Sequence, residues 1–224
     1  MQFKLFLLIP VFSLFTGGLV MHLAKNQTVS KPVNDQKTFL LEYTGSLNGY
    51  TNMGVGVQIA MDTSIGFRYD VTFLNGSAVL SHVAFFYKFS SPYQLTEYNY
   101  LNHRTQTTKA GKPSKGEDLE VLGNVTIDSF TCTHLQKKNQ HEQQDYYMST
   151  SVPGFAQLAQ KLMGIDPNLK MMAINQTLFN WGGLVRAQIV AVENEGKTTS
   201  FNLKLIEAQT GLVFTTKDFE VPSH

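Results

Sequence analysis

From Thr38 onward, apolar residues recur at every second position of this chain. Val55, Val57, Ile59 and Met61 alternate with Gly54, Gly56, Gln58 and Ala60. In an extended chain successive side chains point to opposite faces, so this pattern buries one face of a strand and leaves the other open. The same style fills 38–47, 66–74, 78–89 and 94–101, and more strand sequence follows across 119–135 and 146–149. Asn75-Gly76 between two of these runs is a hairpin turn, because both residues tolerate positive φ. A loop rich in Gly, Pro and Lys separates the strands near 109–118, and 137–145 reads as a hydrophilic turn.

The period changes after Ser149. Phe155, Leu158, Ala159 and Leu162 fall at i, i+3, i+4 and i+7, one face of a helix. Ser151 caps its start, Pro153 suits its first turn and Gly164 ends it. Asp166-Pro167 opens a second short helix with Leu169, Met172 and Ala173 on one side. Strand pattern resumes at 184–192, 199–208 and 212–219. Strands and helices do not alternate, which argues against a parallel doubly wound sheet. The expectation is α+β: a curved, mainly antiparallel sheet of roughly nine strands, with short helices at about 152–163 and 167–174 packed on one face. Two such helices cover only part of that sheet. The remainder is either a filled core or a cavity for an apolar guest. The residues expected to line it are Phe85, Phe86, Phe155, Leu158, Leu162, Met163 and Met172.

Residues 5–24 contain no Asp, Glu, Lys or Arg, and Lys4 and Lys25 flank them. The run is an export address, either a signal peptide or a membrane anchor, since it just reaches the length of about 20 that a spanning helix needs. Its small-x-small sites, Thr16/Gly18 and His22/Ala24, are weak. A lipoprotein signal requires a cysteine at the cleavage point, and Cys132 is the only cysteine. Residues 25–37 read as a polar tether, leaving 38–222 as one domain. The expected location is periplasmic or extracellular. One thiol cannot form an internal disulfide, so stability rests on an ordinary core.

Lys and Arg total 18 against 17 Asp and Glu. This balance excludes nucleic acid as partner, because phosphate binding needs a concentrated basic surface. Catalytic signatures are absent: there is no Gly-x-Ser-x-Gly elbow, phosphate loop or His-Glu-x-x-His. Glu42, Asp62, Asp70 and Glu97 lie scattered over strands, with nothing in sequence to pair them. Cys132, His134, His141, Glu142 and Asp145 come nearest to a metal set, but His141 sits in a polar turn. No metal, cofactor or enzymatic activity is expected. Sequons begin at Asn26, Asn75, Asn124 and Asn175. Asn124 falls in strand sequence, which argues against a surface acceptor.

The segment Gly123-Asn-Val-Thr-Ile-Asp-Ser-Phe-Thr-Cys-Thr-His-Leu135, then Asp145-Tyr-Tyr-Met-Ser149 and the Pro153-Gly154 helix start, resembles a pattern of an exported bacterial domain family of unknown function. The ending Phe219-Glu-Val-Pro222 is similar too. That family is grouped with periplasmic lipoprotein carriers of the LolA type. The resemblance implies a strongly curved antiparallel sheet, an incomplete barrel with helices on its concave face, which holds lipid or acyl chains. It supplies no functional residue. A non-catalytic binder of a lipid or other apolar ligand is therefore the first expectation. A structural or protein-interaction module of the envelope with a filled core is the alternative, and a hydrolase ranks third.

Overall fold

The alternation builds the sheet that the sequence implies, and two strands beyond the expected nine. A computed structural model describes residues 37–49, 52–90, 94–109, 119–152, 181–192 and 197–223. Eleven strands follow in chain order: β1 (Thr38–Asn48), β2 (Met53–Asp62), β3 (Gly66–Asn75), β4 (Ala78–Lys88), β5 (Gln94–Asn99), β6 (Arg104–Lys109), β7 (Glu120–Ile127), β8 (Phe130–Lys138), β9 (Glu142–Ser149), β10 (Gly183–Val192) and β11 (Thr198–Thr210). They form one sheet in the order β6-β5-β4-β3-β2-β1-β11-β10-β9-β8-β7, every neighbouring pair antiparallel. Two meanders, β1–β6 and β7–β11, thus meet at a single long-range seam, β1 against β11.

Three segments differ from the sequence expectation. β6, Arg-Thr-Gln-Thr-Thr-Lys, was absent from it because an exposed edge strand with no apolar residue shows no alternation. β8 and β9 run into the stretch read as turn, leaving only Asn139–His141 between them. Residues 212–219 are not a strand. Beyond Gly211 the chain leaves the sheet and forms a 3-10 turn at Thr216–Phe219. Asp218 stops further extension by accepting hydrogen bonds from the Thr215 main-chain N–H (2.6 Å) and hydroxyl (2.8 Å). The turn packs on β3 and β4 and buries Phe219 completely. The helices expected at about 152–163 and 167–174 lie outside the described residues.

The sheet cannot be flat. Ten inter-strand steps of roughly 4.8 Å would set its edges about 48 Å apart. Yet Lys109, ending one edge strand, is joined to Leu119, just before the other, by ten peptide units that span at most about 36 Å. The edges are therefore drawn together by curling. Register irregularities at Glu42/Tyr43, Phe73/Leu74, Val121/Gly123 and Leu184/Arg186 supply local bends. β6 and β7 do not pair, so the barrel stays open.

Candidate functional site

Alternation gives the curled sheet two faces of different chemistry. The inner face carries Phe39, Leu41 and Tyr43 of β1, Val55, Val57, Ile59 and Met61 of β2, and Phe67, Tyr69, Val71 and Phe73 of β3, all under a tenth exposed. It continues through Tyr87 and Leu95 on one side, and through Leu203, Ala187, Tyr146 and Leu135 on the other, as one cluster. The Tyr43 hydroxyl donates to the main-chain carbonyl of Leu184, two strands away (3.1 Å). This contact ties β1 to β10 across β11, in the sense of a sheet curling toward this face.

The polar groups of the inner face include neutral tyrosine hydroxyls and the Gln144 amide. Tyr146 donates to Gln144 Oε1 at 2.6 Å, and Gln144 is itself buried. Burial, helped by the neighbouring Tyr69, pushes the Tyr43 hydroxyl well above its ordinary pKa, and burial alone pushes Tyr69 up. Both stay protonated because a phenolate cannot be solvated there. Glu97 lies directly across from Phe85, and burial raises its carboxyl above the usual range. The described residues on either side of 153–180 both pack on this face. Val152 before it is 3% exposed within the core, and Trp181 after it packs on that core.

The outer face is polar, and the register assembles two networks on it. In the first, Arg68 grips Asp70 with two hydrogen bonds of 2.7 Å and reaches the Tyr100 hydroxyl at 3.0 Å. His82 stacks on Tyr100 with centroids 4.1 Å apart, 3.4 Å from Asp70, and the guanidinium lies over Phe86. In the second, Asp145 accepts from His134 and Gln136 at 2.8 Å and from Gln143 at 2.7 Å, while His134 stacks on Tyr147. Burial pushes the Asp145 carboxyl up, but these three donors outweigh it and hold the group below the usual carboxylate range. Every carboxylate oxygen in both networks already has donors from the protein. Both networks link side chains across strands: Arg68 of β3 to Tyr100, and His134 and Gln136 of β8 to Asp145 of β9.

Of the expected lining residues, Phe85 packs against the inner cluster beside Tyr69, at 6.0 Å between ring centroids. Phe86 does not join it. As the next residue of β4 it points to the outer face, where it packs with Ala84 and Tyr98. Phe155, Leu158, Leu162, Met163 and Met172 lie outside the described residues. The carboxylates taken as scattered do have partners: Asp70 with Arg68, Glu42 with Gln58 (2.7 Å), and Asp62 with the Ser64 turn. Arg68-x-Asp70 was the missed signal, because two residues apart on a strand means one face. Within the set considered for metal, His134 and Asp145 meet. His141 is exposed, Glu142 faces Lys137 (3.8 Å), and Cys132 is buried, its thiol pushed up chiefly by that burial. Among the described residues no three His, Cys, Asp or Glu side chains converge as a metal site.

No family model and no curated protein matches the chain. Among solved structures it is similar to an outer membrane lipoprotein-sorting protein domain from Vibrio parahaemolyticus: TM-score 0.35, 8% identity, 81% of this chain and 88% of that one. It is similar also to a LolA superfamily protein from Nitrosomonas europaea: TM-score 0.34, 9% identity, 85% and 93% covered. A third structure, PNGF-II, gives a TM-score of 0.33 at 9% identity, with 83% of this chain covered but only 30% of that one. Among the described residues, no helix is long and apolar enough to cross a membrane.

Proposed function

We propose that this chain is an exported, non-catalytic domain that holds a lipid or other apolar molecule against the inner face of its curled sheet. The observation that carries the reading is the continuity of that face. It runs uninterrupted from Leu95 on β5 to Leu135 on β8, its buried tyrosine hydroxyls are neutral, and Val152 after β9 and Trp181 before β10 both pack on it. Apolar surface with a few matched polar groups is what an acyl or similar guest requires, and it offers little to a charged substrate. Phe85, Phe155, Leu158, Leu162, Met163 and Met172 are the proposed lining, with residues 5–24 directing export. If those residues are retained, they also tether the domain to the bilayer.

The test is a titration of the purified domain with a fluorescent long-chain fatty acid, followed by displacement with unlabelled lipid. Saturable binding near one probe per chain supports the reading. A probe that partitions without saturation, or does not bind, refutes it and favours the filled-core interaction module.

A further inference from the structure

The two edges of the sheet are defended differently. β6 carries Arg104, Lys109 and hydroxyl residues, and charged side chains discourage pairing with another strand. β7 has one charge, Glu120, and presents Val121 (40% exposed), Leu122 (47%) and Val125 (38%) along an edge that pairs with no further strand among the described residues. An open, apolar edge of this length invites a foreign strand. In its middle stands Asn124-Val-Thr126, with Asn124 and Thr126 both exposed. The Asn124 carbonyl oxygen faces Thr133 Oγ1 at 3.4 Å, which turns the amide nitrogen away. The adjoining bulge residue, Gly123, takes φ +126, and a Cβ built on it meets nothing within 4 Å. A second sequon, Asn75-Gly76-Ser77, occupies the exposed tip of the β3–β4 hairpin, again with open space at its glycine. The sequence expectation that strand placement keeps Asn124 from the surface is thereby corrected: an edge strand is surface.

We propose that Asn124 and Asn75 are acceptors of N-linked oligosaccharide, and that the glycan on Asn124 guards the β7 edge. The donor is a lipid-pyrophosphate-linked oligosaccharide. The Asn amide nitrogen forms a bond to the anomeric carbon and loses one proton, and the bond from that carbon to the pyrophosphate breaks, releasing the lipid pyrophosphate. No electron transfer is involved. The hydroxyl two residues on, Thr126 or Ser77, completes the recognised acceptor. A branched, hydrated chain at mid-strand blocks a partner strand sterically, as charge does on β6. The proposal requires export but not an apolar guest.

Intact mass of the full chain from its native exported fraction, before and after enzymatic removal of N-glycans, tests it. Two oligosaccharide increments are expected at these positions, one lost in Asn75→Gln and one in Thr126→Ala, with Thr126→Ser retaining its increment. An exported chain of bare polypeptide mass at both sites overturns the proposal while leaving the export reading intact. A chain found only in the cytosol overturns both. Sedimentation of Thr126→Ala should show concentration-dependent association that the glycosylated protein lacks, and a variant that stays monomeric overturns the guarding role.

Discussion

Gly45 on β1 offers the sharpest test of how the two meanders are joined. It pairs with Leu203 across the β1–β11 seam. A Cβ added there would overlap the Asn202 carbonyl oxygen outright and lie 3.0 Å from its carbonyl carbon and 3.1 Å from Leu203 Cα. All three are main-chain atoms, so no side chain can swing aside. Relief requires β1 and β11 to separate along a seam whose pairing runs from Phe39 to Asn48. Overpacking of this kind costs typically about 1–3 kcal/mol, and a purely main-chain collision belongs at the upper end. Gly56, on the next strand, is the control. Its added Cβ would find only Thr72 Cβ at 3.9 Å, an ordinary contact. Gly56→Ala should be neutral or stabilise by about 0.4–1 kcal/mol, through loss of unfolded-chain entropy. The two substitutions are chemically identical and eleven residues apart, yet their urea midpoints, followed by far-UV circular dichroism, should imply stabilities about 3 kcal/mol apart. A gap below about 1 kcal/mol, or a less stable Gly56→Ala, would refute the close approach of the backbones at the seam.

Three further outcomes follow from the faces of the sheet. Phe85→Ala should weaken fatty-acid binding, whereas Phe86→Ala should lower stability but leave the dissociation constant of the folded protein unchanged; equal effects on binding would contradict the opposite orientation of the two rings. Asp145→Asn should cost about 1–3 kcal/mol at pH 7. Because the folded carboxyl titrates below its unfolded value of about 3.9, that stabilisation is present above this pH and is lost as pH falls through the folded value. The gap between wild type and variant in urea titrations should therefore narrow at pH 3, and a pH-independent gap would sink the assignment. Cys132 should resist alkylation in the folded protein and react once urea opens it, since a fully buried thiol with a raised pKa reacts only through opening. Rapid labelling of the native chain would show the site to be accessible.

The long strands were legible because one face of each is buried: Val55 to Met61 on β2 follows strict alternation, and the burial repeats it as far as Ile59, beyond which Ala60 is buried as well. Two kinds of feature were not. β6 and the tail at 212–219 fail for opposite reasons. β6 has no apolar residue to betray its period, while Leu212 and Phe214 mimic a strand in a stretch that leaves the sheet at Gly211 and turns at Asp218. Sites built across strands are hidden as well, because Asp70, His82 and Tyr100 meet only once the β3–β4 and β4–β5 registers are fixed. The adjacent Phe85 and Phe86 show the complementary lesson. Composition suggested one lining, but alternation divides them between an apolar interior and a polar exterior.

The account rests on the inner face receiving a guest from outside the chain. The most direct measurement is mass spectrometry of an organic extract of the exported protein, purified without detergent, alongside its native mass before and after extraction. The expected result is an apolar molecule in near-stoichiometric amount, with a native mass that falls by the mass of that molecule. A native mass equal to that of the polypeptide and its covalent modifications, with no apolar species extracted, would contradict it.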